Sequence, residues 1–302
     1  MRHLIASAVV LGLGGHSFAN TWTVDDDGPA DFDNIQAAVD AASDGDEIVV
    51  LPGVYTSTQD EHVVAILSKE VSLRSSDGSD VTFIDGEGVR RGLLCHFVSS
   101  KTVIEGFTIT GGDASNGGGI QCYGSSPTIT GCMISDNTGI NGGGIFCSAG
   151  GNPTITDCTI SDNTGLHGGG IYINNSDVAI TDCMISDNTA TDDGGGISGY
   201  VFILHNTTVC GNSPNQISGG YSDEGKNTVA AVCPSPGACC TNGECMIAEQ
   251  ADCLAFHGTW LGEGTTCDDS PCPTSCLGDV TGDGQVNVAD LLTVIANWNN
   301  CP

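Results

Sequence analysis

The chain has 302 residues, with 37 acidic against seven basic side chains, a formal charge of −30 and 16 cysteines. That balance excludes nucleic acid and anionic membranes as partners, because both need a basic footprint, and it favours divalent cations or a simply well-solvated surface. Beyond the N-terminus no apolar run approaches the roughly 20 residues that a membrane-crossing helix needs, so no transmembrane segment is expected.

Residues 1–19 carry the pattern of a secretory signal. Arg2 and His3 supply the positive start, Leu4 to Leu13 the apolar stretch, and Ser17-Phe18-Ala19 a small-x-small cleavage site. Export to an extracellular or cell-surface location would permit disulfides, which suits the cysteine count.

After the signal, Ile35, Ala38, Val39 and Ala42 recur at helical spacing behind Asp33, which can cap the start. Gly45-Asp46 then turns the chain into a strand over Glu47 to Leu51, stopped by Pro52-Gly53. Further strands are expected at His62 to Leu67, Val71 to Leu73, Val81 to Ile84, Leu93 to Val98 and Val103 to Ile109. One amphipathic helix ahead of many short strands suits an open stack, whose end rung exposes unpaired backbone and apolar side chains that a helix can cover.

From Asn116 the chain repeats itself. GGGI recurs with Ile120, Ile145, Ile171 and Ile197 spaced 25, 26 and 26 residues apart, followed by ITGCMISDN, ITDCTISDN, ITDCMISDN and a degenerate LHNTTVCGN. A fixed period means stacked units, each too small to bury its own apolar face. Ile104/Phe107/Ile109, Ile129/Cys132/Ile134, Ile155/Cys158/Ile160, Ile180/Cys183/Ile185 and Leu204/Thr207/Val209 are successive copies of one pattern. The two-residue step marks a strand and the three-residue step a corner. Asn137, Asn163, Asn188 and Asn212 would then stack as an amide ladder at a corner whose left-handed backbone Asn tolerates. Length over period predicts roughly eight coils.

These residues resemble a known fold. IQAAVDAASDGDEIVVLPGVY is similar to the opening common among pectate-lyase-like right-handed parallel β-helices. GGGI and ISDN resemble the short repeats of polymorphic outer-membrane adhesins, with Ile where those usually carry Phe. The likeness covers roughly residues 20–232 and implies an all-β, single-solenoid fold, while leaving the activity open, because this fold hosts many chemistries. Lyases of this family resemble one another in using Arg or Lys as base, yet no Lys or Arg lies between Lys101 and Lys226. The NTD, GHG and RIK signatures of polygalacturonases are also missing.

Candidate chemistry in the repeats is limited. Between Asn116 and Asn212, Asp192-Asp193 is the only adjacent acidic pair, with His167 one coil earlier, and grouped carboxylates are what a glycoside hydrolase uses. Asn116, Asn141, His167 and Asp193 share one column just before each triple glycine, where glycine would let a sugar approach the backbone; a solvated turn column is the plainer account. Asp136, Asp162 and Asp187 form a second column, whose carboxylates repel unless splayed or bridged by a cation. Cys122 with Cys147, and Cys132, Cys158 and Cys183, stack as columns within disulfide range or as small buried hydrophobes.

Residues 233–275 form a separate cysteine-rich module. Cys239, Cys240, Cys245, Cys253, Cys267 and Cys272 crowd a stretch too poor in aliphatics to hold itself by burial, which implies disulfides with fifteen possible pairings. Zinc is the weaker alternative, for want of a C-x-x-C knuckle. Cys210 with Cys233 would close the last coil and Cys276 with Cys301 would bracket the tail.

In residues 276–302, Asp279, Thr281, Asp283, Gln285 (through its carbonyl), Asn287 and Asp290 alternate as the oxygen ligands of a Ca2+ loop, with Gly284 at the sharp turn. Val288, Leu291, Leu292, Ile295 and Trp298 line one face of the helix that follows. The unit resembles half of a dockerin. A complete dockerin has two such loops, so a cohesin-type partner is disfavoured and a terminal anchor or sorting tag is the expectation. The resulting picture is a secreted, non-catalytic recognition or structural protein touching polysaccharide or a cell surface, with a polysaccharide-degrading enzyme as the alternative.

Overall fold

The computed structural model describes residues 19–57, 61–234, 237–241, 244–248, 259–263 and 265–267. The signal segment and the loop of Asp279, Thr281, Asp283, Gln285, Asn287 and Asp290 lie outside these residues. The chain divides into two compact units, Met1–Val232 and Cys233–Pro302.

The first unit is a solenoid of about seven turns built almost wholly from parallel strands. Each repeat coil has four short strands, as in Thr128–Thr130, Met133–Ser135, Thr138–Asn141 and Ile145–Ser148. The register stacks like on like: Ile104, Ile129, Ile155, Ile180 and Leu204 pair in succession along one face. Ile109, Ile134, Ile160, Ile185 and Val209 do so along the next, and Ile120, Ile145, Ile171 and Ile197 along a third. Nearly all are fully buried, and each such side chain contributes about 1.5–3 kcal/mol of transfer free energy, which is why the period dictates the fold. The turn count falls short of the roughly eight that length predicts, because residues 20–46 form the strand Thr21–Val24 and a helix instead of a coil.

That helix is Ile35–Ala41. Its cap is Asn34, not Asp33, because the Asn34 side-chain oxygen reaches the Ala37 N–H at 2.8 Å. Asp33 instead accepts from the Asn34 amide. Ile35, Ala38 and Val39 are buried. Gln36 lies beside the strand His62–Leu67, accepting the Ala65 N–H at 2.6 Å and donating to its carbonyl at 3.2 Å, so one side-chain amide does for that residue what a neighbouring strand would. At the helix C-terminus the Lys69 ammonium bonds the carbonyls of Val39, Asp40 and Ala42 at 2.6–2.9 Å, matching charge to the helix dipole.

The corners refine the sequence-based assignment. The stretch Val103 to Ile109 breaks into Val103–Glu105 and Thr108–Asn116 at Gly106, which takes φ +74°. Conversely, the two strands expected between Val81 and Val98 run on as one, Thr82–His96. At the ISDN corner the left-handed residue is Asp136, Asp162 or Asp187, each at φ +57°, and not the Asn after it. Gly111 and Gly211 hold the equivalent position elsewhere, which shows that the corner selects for backbone conformation while the Asp side chains stay exposed.

The Asn therefore turns inward. The Nδ2 of Asn163 donates to Asn188 Oδ1 at 2.9 Å and to the Ile134 carbonyl at 2.8 Å, while its Oδ1 accepts both N and Nδ2 of Asn137 at 3.0 Å. Asn188 repeats this on Asn212, and Gln216 closes the file by accepting N and Nδ2 of Asn212. These buried amides satisfy corner groups that have no other solvent, and their common orientation lets each bond polarise the next.

Among the described residues, six cysteines are free and buried. Cys95, Cys122 and Cys147 stack in one file, and Cys132, Cys158 and Cys183 in another, whose thiols donate to backbone carbonyls at 3.1–3.8 Å. Thr207 continues the second file with a hydroxyl bonded to His205 O. Here Cys is a small core residue with a weak donor for a corner carbonyl.

In the second unit, Gly237–Thr241 lies between Glu244–Ala248 and Thr259–Glu263 in an antiparallel sheet. A disulfide joins Cys245 to Cys267, and Cys239 and Cys240 are also disulfide-bonded, so these sulfurs are not available as zinc thiolates.

Candidate functional site

The polar column lies along one edge of the solenoid. Asn116 pairs in register with Asn141, Asn141 with His167 and His167 with Asp193. The Asn141 amide donates to Asn116 Oδ1 at 2.8 Å. One coil before them Arg91, only 9% exposed, turns its guanidinium into the backbone. Its Nε and Nη2 bond the carbonyls of Asn116 and Gly117 at 2.9–3.1 Å, and its Nη1 meets His62 Nδ1 at 2.8 Å. Burial lowers its pKa while Glu61 opposes that shift. Nothing in the sequence pattern pointed to Arg91, whose role depends on the neighbouring coil.

The triple glycines give room to the next rung of the stack. A Cβ on Gly143 would lie 2.3 Å from the Thr164 carbonyl oxygen, and one on Gly144 would lie 2.7 Å from that of Gly170 and 3.0 Å from the Asn163 amide nitrogen. The space that sequence reasoning left open for a sugar is filled by the next rung and the amide ladder.

His167, Asp192 and Asp193 do come together. Between the strands Thr164–His167 and Thr189–Asp193 the register slips: Gly165 faces Ala190, but His167 faces Asp193, so the second strand carries one extra residue. Adjacent residues in a regular strand point to opposite faces; the bulge lets both carboxylates reach one ring. The Nδ1 of His167 is 3.0 Å from Asp193 Oδ1 and 3.5 Å from Asp192 Oδ2. Ser218 donates to Asp193 Oδ2 at 2.9 Å and Ser198 to Oδ1 at 3.4 Å. Burial opposes the charge on Asp193, but the hydrogen bonds from His167 and Ser218, the imidazole charge and Ser198 outweigh it and hold the carboxyl below its usual pKa. The serines thus serve the carboxylate; neither bonds the imidazole as a nucleophile would.

Aromatic rings flank this cluster at the position after two of the four GGGI phrases. Phe146 and Tyr172 stack at 5.7 Å with planes 8° apart, and His167 leans on Tyr172 at 5.8 Å. A recess of about 210 Å³ is lined by His167, Tyr172, Asp193, Ser198, Tyr200 and Ser218. Asn175 and Tyr200 also border a second recess of about 380 Å³ containing Asn152, Ser176 and Asp177. Tyr200, between the two, is 79% exposed. The consecutive phrases GGGI-F and GGGI-Y place the two stacked rings, whereas nothing in the sequence pattern singled out Tyr200. Asp25, Asp26 and Asp27 form another carboxylate cluster, yet two of them already serve backbone: Asp25 accepts the Asp27 N–H and Asp26 the Val54 N–H.

Among solved structures, the chain is similar to pectate lyase Pel9A, at 15% identity and a TM-score of 0.47 over 69% of each chain. It is also similar to pectin methylesterase from carrot, at 14% identity and 0.43 over 76% of this chain and 91% of that one. Pectin methylesterase PemA from Erwinia chrysanthemi aligns at 12% identity and 0.42 over 88% and 98%. No curated protein matches the sequence. The family model described as "Right handed beta helix region" matches residues 71–231, more than half of the chain. With that match and the stacked parallel register, the chain belongs to the right-handed β-helix family.

Proposed function

We propose that this is an exported, non-catalytic recognition protein that holds a polysaccharide along the solenoid edge running past His167, Asp193 and Tyr200. The observation that carries the reading is Tyr200, a large exposed aromatic standing between two adjoining polar recesses. A sugar presents an apolar face and a rim of hydroxyls. A ring with flanking amides, carboxylates and hydroxyls suits both. The absence of Lys and Arg between Lys101 and Lys226, with 37 acidic residues overall, favours neutral or basic sugars over polyuronates.

In the same reading, residues 1–19 direct export and the Ile35–Ala41 helix ends the stack. The disulfide unit joins a C-terminal Ca2+ loop of Asp279, Thr281, Asp283, Gln285, Asn287 and Asp290, which acts as an anchor or sorting tag. Those ligands rest on their spacing alone.

A glycoside hydrolase using Asp192, Asp193 and His167 is the second reading, favoured by the bulge that gathers them. Against it, a hydrolase places its carboxyls on either side of a glycosidic bond and keeps one protonated. Here both carboxylates converge on the His167 ring nitrogen, and Asp193 is biased toward its ionised form.

The test is glycan-array binding with and without calcium, for the wild type and Tyr200→Ala, beside a reducing-sugar assay over acidic and neutral glycans. We expect binding that the variant loses, with no sugar released. Release that disappears in Asp193→Asn would overturn the choice in favour of the hydrolase, and unchanged binding by Tyr200→Ala would remove its main support.

A further inference from the structure

We propose that His167, Asp192 and Asp193 bind one first-row divalent metal ion of the Zn2+ class. One ligand atom from each residue lies within 4.8 Å of the other two, and the His167 ring nitrogen sits 3.0 and 3.5 Å from the two carboxylate oxygens. Zinc bonds to nitrogen and oxygen of roughly 2.0–2.2 Å place neighbouring ligands of a tetrahedron about 3.4 Å apart, so these separations already approximate its edges.

The convergence of two carboxylates on one ring nitrogen is the decisive feature. With a proton on Nδ1, the imidazole can donate one hydrogen bond, which Asp193 takes at 3.0 Å, so the largely exposed Asp192 carboxylate 3.5 Å away is left to water. Without that proton, its lone pair faces two anions. A divalent cation between them satisfies all three groups and cancels both carboxylate charges. The extra residue in the second strand is what turns Asp192 toward the same ring, at the expense of regular pairing.

Ser218 and Ser198 hold the Asp193 oxygens, the kind of support that orients a ligand carboxylate. An imidazole in the set favours first-row transition ions over Ca2+ and Mg2+, which take oxygen alone. Three protein ligands leave coordination open to water or to a sugar hydroxyl pair in the adjoining recess. The ion itself needs no glycan.

The experiment is a calorimetric Zn2+ titration of the full chain with Ca2+ in excess, so that calcium-selective loops stay filled, repeated for His167→Ala and Asp192→Asn. A parallel Co2+ titration follows the visible absorption of the bound ion. One Zn2+ site is expected, weakened at least tenfold in each variant, with the cobalt band lost in His167→Ala. Asp192 is largely exposed, so its variant decides the matter even if the His167 variant fails to fold. An isotherm unchanged by Asp192→Asn, or no Zn2+ site in the presence of Ca2+, overturns the proposal. Because no glycan is present, either result leaves the recognition reading to its own test.

Discussion

Two files of polar side chains run along the same stack, and they differ in every physical respect. The inner one, Asn137, Asn163, Asn188 and Asn212, is uniform and buried, and its amides are bonded to one another or to corner backbone. The outer one, Asn116, Asn141, His167 and Asp193, changes residue from coil to coil and stays partly exposed. Uniformity follows from burial, since an identical corner has identical unmet donors and acceptors at every level. The outer edge is under no such constraint, so its departures from repetition at His167 and Asp193 point to a task.

The harshest test of this contrast is Asn163→Leu. It leaves the buried Asn137 N–H without a partner and removes the Asn163 amide's bonds to Asn188 and to the Ile134 carbonyl, and about 3–5 kcal/mol of stability should be lost, at roughly 1–3 kcal/mol for the orphaned group and about 1 kcal/mol for each further bond. Urea unfolding measures it; a loss below 1 kcal/mol would mean that the ladder is incidental. Gly143→Ala should follow at about 1–3 kcal/mol or more, because the added methyl meets a backbone carbonyl and not a movable side chain. A neutral result there would return the triple glycine to the role of ligand access.

Acid sharpens the comparison further. Asn amides do not titrate, whereas the Asp193 pKa is depressed on folding. Its contribution is therefore present above the unfolded carboxylate value of about 3.9 and is lost as pH falls through the lower folded value. Asp193→Asn should leave stability near neutral pH almost unchanged and flatten the acid limb slightly, the effect being small because the side chain is largely solvated. An equally steep acid limb in the variant would show that the outer file carries no folding linkage at this position. The smallest effect belongs to Asp162→Gly, expected within about 0.5 kcal/mol, since the residue is exposed and its φ of +57° suits glycine. A large loss would mean that the carboxylate, and not the backbone, shapes that corner.

Much of the solenoid was legible in residue order. The Ile columns, the Asn ladder and the shared file of Asn116, Asn141, His167 and Asp193 all followed from counting 25 or 26 residues. What misled was chemistry at single positions: Asn34 caps where Asp33 was expected, because the capping oxygen must reach the third helical N–H. Asp, and not Asn, takes the left-handed corner, because the inward place is reserved for the side chain that both donates and accepts. The triple glycine, which suited either a sugar or a plain solvated turn, makes room for the next rung. Arg91 and Tyr200 were invisible, since neither lies at a repeating position and each matters only through its neighbours in adjacent coils.

Spacing alone determined that this chain stacks and which side chains share a column, because rungs a fixed distance apart align whatever recurs with the period. Tertiary structure decided where that alignment slips. One extra residue opposite Gly165 to His167 turns two adjacent carboxylates toward a single imidazole. No local pattern encodes such a slip, because register is a relation between coils and is settled only when they pack.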